Sequence, residues 1–255
     1  MSAKAARVFV VGMGEVGRRL GGALTAAGVE VLPVTRVFGW EEALADTEGV
    51  VVVCVREEAL PEVVERLERV SPQRLVFVQN GWIRPLLAKL SGCSRGLVWF
   101  TSKGDFFRVL RPSVFSGAKA EFLATALGHG GVPSAAVGES AFAAAEAEKM
   151  GFNCVVGLPL AVHGLALGDY LARHAAEAEA LFVESVTVCA RALGVAAGPA
   201  WWEEFRHAVE PLGWVRADTA KALEFRGGAV ARLARELGVE VPVTARLLGA
   251  AGAAA

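Results

Sequence analysis

Lys149 and Asn153 stand four residues apart in Glu148-Lys149-Met150-Gly151-Phe152-Asn153, a segment of helical character. On a helix, positions i and i+4 share a face one turn apart, so both side chains can address one small ligand. A lysine ammonium can donate a proton to a carbonyl oxygen as hydride reaches the carbon. The asparagine can orient the substrate or hold the lysine. A surface lysine beside an amide is also commonplace, so the spacing alone does not make a site. The chain holds only two asparagines, Asn80 and Asn153. Asn80 closes a strand-like run, Leu75 to Gln79, and is followed at once by Gly81. In a sequence nearly purged of this residue type, both survivors invite a functional reading.

A second motif lies near the N-terminus. Gly12-Met13-Gly14-Glu15-Val16-Gly17 is GxGxxG between a β-branched run, Arg7 to Val11, and a segment of helical spacing. Gly12 allows the tight turn, Gly14 lets the backbone approach a pyrophosphate, and Gly17 permits close packing of helix on sheet. Amides at the helix start, aided by its dipole, hold the phosphates. All six residues are therefore candidate cofactor contacts. The next strand ends Val34-Thr35-Arg36, with arginine where an NAD-selective site usually carries Asp or Glu. A guanidinium suits a 2′-phosphate through charge and paired donors, which favours NADP(H), with Thr35 beside it. Arg56, just past the third strand, faces the cofactor side in the same scheme; the alternative for both arginines is a solvated surface position.

These residues need elements to place them. Glu15 to Ala27 puts Val16, Leu20 and Leu24 on one helical face. Val29 to Val34, Leu75 to Gln79 and Leu97 to Phe100 read as strands, and Glu57 to Val70 as helix. Val50 to Val55 is six apolar residues in a row, the pattern of a strand buried on both faces. The alternation predicts βαβ units and an α/β, Rossmann-type doubly wound sheet over residues 1–140. From residue 141 on, the pattern is all-helical, over 140–166, 168–194, 200–211 and 217–237, with Pro159 expected to kink or end the first. The cleft between two such domains is the natural place for a substrate.

Composition excludes several classes of function. A formal net charge of −1, with basic residues dispersed, gives no footprint for nucleic acid or an anionic membrane. No apolar run approaches the ~18–20 residues of a membrane span, so the chain reads as soluble and cytoplasmic. Cys54, Cys93, Cys154 and Cys189 show no CxxC spacing and read as buried reduced thiols. His129, His163, His174 and His207 lack ligand spacing, and no metal site is expected. Long alanine-rich helices with apolar positions to cover would suit a homodimer.

Gln79-Asn80-Gly81 at a strand end, Arg36 after the second strand, and Lys149-x-x-x-Asn153 opening a helical domain together resemble the ketopantoate reductase family. That family lies among the two-domain reductases of the 6-phosphogluconate-dehydrogenase-like group. The likeness runs nearly end to end and includes Gly238-Val239-Glu240-Val241-Pro242. It implies NADPH-dependent reduction of a small 2-oxo acid to a 2-hydroxy acid. Lys149 would be the general acid, Asn80 would sit by the nicotinamide and the reacting oxygen, and Asn153 would contact substrate. The chain departs from the family at Gly157, where a second asparagine is common. It departs again at Ala222, where a substrate-binding glutamate is expected, with Glu224 two residues on as the nearest carboxylate. A β-hydroxyacid dehydrogenase shares the Lys-x-x-x-Asn helix but normally has a glycine- and serine-rich substrate loop, of which Thr101 to Asp105 is a poor version. A non-catalytic dinucleotide-binding sensor or regulatory protein is the alternative from another class.

Overall fold

The structure, a computed structural model, describes residues 6–217 and 223–252. The chain divides into two compact units, residues 1–79 with 83–142 and residues 80–82 with 143–255.

Unit 1 is built on a seven-stranded sheet. Its elements begin β1 (Arg7–Val11), α1 (Glu15–Ala26), β2 (Glu30–Val34), α2 (Trp40–Ala45), β3 (Val50–Val53), α3 (Leu60–Leu67), β4 (Leu75–Phe77), α4 (Arg84–Leu87) and β5 (Ser94–Leu97). A two-stranded hairpin follows, β6 (Phe100–Lys103) and β7 (Phe106–Val109), and then β8 (Ser113–Ser116), α5 (Ala120–His129) and β9 (Ser134–Ala136). The sheet order is β2-β1-β3-β4-β5-β8-β9, parallel throughout except where β5 meets β8. From β1 the chain turns one way to β2 and then crosses to β3 on the other side, which makes the switch point where α/β sheets bind ligands. Val8, Val10, Val50, Val52 and Val76 from the strands, with Val78 just past β4, pack with Leu20 and Leu24 of α1 and Leu123 and Leu127 of α5. The sheet is the α/β, mostly parallel one that the sequence predicts.

Unit 2 is helical. The division falls within α6 (Glu139–Val155), which is followed by α7 (Leu158–His163), α8 (Leu167–Arg173), α9 (Ala175–Leu193), α10 (Trp201–Val209), α11 (Gly227–Leu237) and α12 (Pro242–Ala250). α9 is its hub, burying Leu181, Phe182, Ser185, Val186, Val188 and Cys189. A Cβ on Gly151 would come within 2.6 Å of Val186 Cγ2 and 2.9 Å of the Phe182 ring. That close approach turns one face of α6 onto α9. Residues two apart on a helix point some 200° apart by the ~3.6-residue turn, so Lys149 lies on the other face. Among the described residues no single helix is long and apolar enough to cross a membrane.

Several expectations are corrected. Leu97 to Phe100 is not one strand: β5 ends at Leu97 and β6 begins at Phe100. Trp99 between them takes a hydrogen bond from the Leu110 amide and gives its own to Ser113 Oγ, so its main chain leaves the sheet. The helix expected over 140–166 breaks at Gly157, and Pro159 falls in the first turn of α7, where the missing N–H costs nothing. The one expected over 168–194 breaks at His174, which ends α8 and starts α9. Of the one expected over 217–237, residues 218–222 lie outside the described residues, and the rest is a 3₁₀ turn at Leu223–Phe225 followed by α11 from Gly227. Residues 80–82 group with unit 2 because the Trp82 amide donates to Phe225 O at 2.7 Å and Asn80 O accepts from Asn153.

Candidate functional site

The glycine loop is held between three strand ends. Gly12 donates its amide to Val34 O at 2.9 Å, and Cys54 donates to Val11 O at 2.7 Å. Gly12 has φ +95°, and a Cβ there would meet Val55 at 2.9 Å. A Cβ on Gly17 would lie 1.9 Å from Gly12 O, so only glycine lets α1 seat against the loop. Gly14 is the N-cap of α1 and faces open space, with no side chain over the first-turn amides. The residues present therefore fit a pyrophosphate at the helix start.

Beside this loop is a cleft of about 590 Å³ lined by Gly12, Met13, Gly14, Thr35, Arg36, Arg56 and neighbouring side chains. Thr35 is fixed by its amide to Phe38 O at 3.0 Å and by Val37 N–H to its Oγ1 at 3.4 Å. That turn leaves Arg36 exposed at the cleft edge. Glu15, Val16 and Gly17 do not line the cleft. Val16 packs on the core. The Glu15 carboxylate accepts from Ser102 Oγ at 3.0 Å, which holds it below the usual carboxylate range. Ser102 also accepts from Arg19 Nε at 3.0 Å, so the segment Thr101 to Asp105 is a hairpin tip pinned to α1.

Among the lining residues that sequence reasoning missed are Trp40, Glu62 and Arg66. The Arg66 guanidinium stacks over the Trp40 ring at 5.2 Å and bonds Glu62 at 2.7 Å. The i, i+4 spacing of Glu62 and Arg66 could have marked that face; Trp40 sits on the short helix α2, which no periodicity announced. Cys54 also lines the cleft, and burial pushes its thiol up to about 12, so no thiolate nucleophile is available there at neutral pH.

In unit 2, α6 carries Lys149 and Asn153, both buried. The Lys149 ammonium lies over the Phe152 ring, 4.4 Å from its centre. Asn153 Nδ2 donates to Asn80 O at 2.7 Å. The Asn80 side-chain oxygen is buried and has no hydrogen-bond partner among the described residues. A buried acceptor in that condition favours any ligand that brings a donor. The structure thus brings Asn80, Lys149 and Asn153 into one unit.

Glu224 stands apart on its 3₁₀ turn, exposed, with its main-chain oxygen bonded by Arg232 Nη2 at 2.9 Å. Ala222 lies outside the described residues. Gly157, one turn beyond Asn153, faces Arg226: a Cβ there would lie 3.8 Å from Arg226 Nη1 and 3.1 Å from Asn153 O.

One cluster joins histidines that show no ligand spacing in the sequence. His163 at the end of α7, His174 between α8 and α9, and Glu177 in the first turn of α9 bring ligating atoms within 4.8 Å of one another. Hydrogen bonds already engage the carboxylate, from Tyr170 OH at 3.1 Å and Arg246 Nη2 at 2.7 Å, with His163 Nε2 at 2.8 Å. Burial raises the Glu177 pKa, and these contacts more than offset it, leaving it below the ordinary value. The cluster ties four helices together and competes with a metal for the same oxygens.

No family model matches the chain, and no curated protein matches it by sequence. Solved structures do. A ketopantoate reductase from Ralstonia eutropha JMP134 aligns with TM-score 0.77 at 19% identity, over 96% of this chain and 97% of that one. D-mandelate dehydrogenase in a ternary structure with NADH and anilino(oxo)acetate aligns with TM-score 0.77 at 13% identity, over 96% and 97%. A dimeric ketopantoate reductase from Staphylococcus aureus aligns with TM-score 0.74 at 15% identity, over 96% and 99%. At such identities the likeness is one of fold, and this chain has the ketopantoate reductase fold along nearly its whole length.

Proposed function

We propose that the chain is an oxidoreductase that reduces the carbonyl of a small 2-oxo acid, ketopantoate or a related acid, to a 2-hydroxy acid, with NADP(H) as cofactor. The glycine loop would hold the pyrophosphate, with Arg36 and Arg56 at the 2′-phosphate and Thr35 shaping the turn that carries Arg36. Bound there, the reduced nicotinamide supplies the hydride. Lys149 gives its proton to the substrate oxygen as negative charge develops on it. Asn80 offers a buried side-chain acceptor by the reacting groups, and Asn153 and Glu224 are the remaining substrate contacts. The carrying observation is Asn153 itself. It stands one turn past the buried Lys149, and its amide holds the main chain of Asn80, so residues singled out separately by type meet in one unit. The dehydrogenases and reductases of like fold support the reaction class, and the NADH of one of them leaves NADP(H) resting on the arginines. A cytoplasmic homodimer belongs to the same proposal, supported by the half-exposed Val183 and Trp214 of unit 2, by free cysteines and by the dimeric Staphylococcus enzyme.

The test is to mix purified protein with NADPH and a panel of 2-oxo acids, ketopantoate first, and follow the absorbance of the reduced nicotinamide. Lys149→Ala is expected to lower turnover about 10²- to 10⁴-fold while NADPH still binds. Retention of more than about half the activity would remove Lys149 as the acid, since a general acid contributes far more than that. Tight NADPH binding with no turnover across the panel would favour the sensor instead.

A further inference from the structure

Two anions compete for the start of α1. The first hydrogen bond of that helix runs from the Arg18 amide to Gly14 O at 2.9 Å, so the amides of Glu15, Val16 and Gly17 have no acceptor within the helix. Gly14 brings no side chain to cap them. These amides and the helix dipole would hold the pyrophosphate. They attract the carboxylate of Glu15, the first residue of the helix, for the same reason.

The structure gives that carboxylate other partners. Its Oε2 accepts from Ser102 Oγ at 3.0 Å and its Oε1 from Arg18 Nη2 at 3.3 Å, and the Gly104 amide adds a further bond. A serine hydroxyl has one hydrogen to give. Arg19 Nε donates to the Ser102 oxygen at 3.0 Å, which leaves that hydrogen for Glu15. The same guanidinium donates from Nη2 to Gly104 O at 3.0 Å and lies over the Phe107 ring, 5.0 Å from its centre. Phe107 packs in turn on the Phe100 ring at 5.3 Å. Arg19 thus rivets the tip of the β6–β7 hairpin to α1, and the tip draws the carboxylate aside. Gly12, Met13 and Gly14 line the cleft, and Glu15 does not.

We infer that Ser102 is a positioning residue of the dinucleotide site: with Arg19 it holds the Glu15 carboxylate off the first amides of α1 and keeps them for the phosphates. The role rests on the cofactor part of the reductase reading above, and it adds the hairpin tip to the site. It concerns the pyrophosphate, which NADPH and NADH share, and is therefore separate from the 2′-phosphate contact of Arg36.

The experiment is fluorescence titration of NADPH and NADH with the native protein, Ser102→Ala, Ser102→Thr, Glu15→Gln and the double variant Ser102→Ala with Glu15→Gln. Ser102→Ala releases the carboxylate, and the Kd of both nucleotides should rise about two- to fivefold, the scale of one charge at a helix terminus. Added salt should shrink that loss. Ser102→Thr keeps the hydroxyl and should bind as the native protein does. Glu15→Gln should bind both nucleotides at least as tightly as the native protein, and in its background Ser102→Ala should change nothing. Native affinity in Ser102→Ala overturns the inference. So does a loss that persists when Glu15 is replaced by Gln, that is equal in Ser102→Thr, or that falls on NADPH alone. Each of those results leaves the cofactor reading standing, whereas native protein that binds neither nucleotide ends that reading and this role with it. Thermal melts check folding. Should Ser102→Ala fail to fold, Arg19→Gln, which frees the hydroxyl to turn from Glu15, is read by the same titrations with and without Glu15→Gln.

Discussion

Asn153 donates its side-chain amide to the main-chain carbonyl of Asn80 at 2.7 Å, so the only two asparagines of the chain are bonded to each other. Asn153 is buried, and the bond reaches across 73 positions of sequence. Asn153→Ala leaves the Asn80 carbonyl without this donor, which costs about 1–3 kcal/mol. For a chain of this size that lowers the melting temperature on the order of 2–10 °C. Asn153→Asp should be worse, because it sets an acceptor, and a buried charge, against an acceptor. A calorimetric melt of Asn153→Ala that matches the native protein would show that the bond carries no weight.

Local patterns were legible in the sequence, and long-range placements were not. The glycine loop follows from spacing, since the turn, the helix start and the packing of Gly17 are all local demands. The shared face of Lys149 and Asn153 follows from helical geometry in the same way. Nothing local says that Asn80 and Trp82 join the helical unit, because their partners are Asn153 and Phe225. Leu97 to Phe100 is continuously apolar and reads as one strand, yet its main-chain bonds go to Ser113 Oγ and Leu110. The cluster of His163, His174 and Glu177 is made by the ends of separate helices, which no ligand spacing encodes.

Cofactor choice is expected to follow charge at the end of β2. Arg36 is exposed on the Thr35 turn at the edge of the cleft. Arg36→Asp replaces a cation by an anion where a 2′-phosphate would sit, whereas a 2′-hydroxyl can accept the exchange. The dissociation constant for NADPH should rise more than that for NADH, and added salt should narrow the native preference. Fluorescence titration with both nucleotides measures this, and equal losses for both would take Arg36 out of the site.

Acid stability should depend on Asp46. Its Oδ1 accepts from the Gly49 amide at 2.6 Å and the Glu48 amide at 2.8 Å, and its Oδ2 from Arg7 Nη1 at 3.0 Å. Led by the Gly49 bond, these contacts hold the carboxyl below the usual range against the opposing effect of burial. A pKa lower in the folded than in the unfolded chain stabilises fully above the unfolded value, about 4 for Asp, and that stabilisation is lost as pH falls through the folded value. Asp46→Asn should therefore melt below the native protein at neutral pH, with the gap closing as the pH is taken below about 4. A gap that stays constant over that range would mean the carboxylate charge is not what holds this corner of the sheet.

Gly17→Ala is the sharpest test of the cofactor loop. The new methyl would lie 1.9 Å from Gly12 O, a main-chain atom that Gly12 itself cannot easily move because its amide is bonded to Val34 O and its φ is +95°. Alanine gains up to about 1 kcal/mol of helix propensity over glycine, and forced overpacking costs about 1–3 kcal/mol, so the clash should win. The displacement falls where α1 meets the loop, so affinity for NADPH should weaken about tenfold or more, the equivalent of ~1.4 kcal/mol lost at the pyrophosphate. Gly22→Ala on the same helix has open space around the new methyl and serves as the control for propensity alone. Fluorescence titration of bound NADPH across the two variants separates the effects, and native affinity in Gly17→Ala would mean that the loop does not hold the dinucleotide.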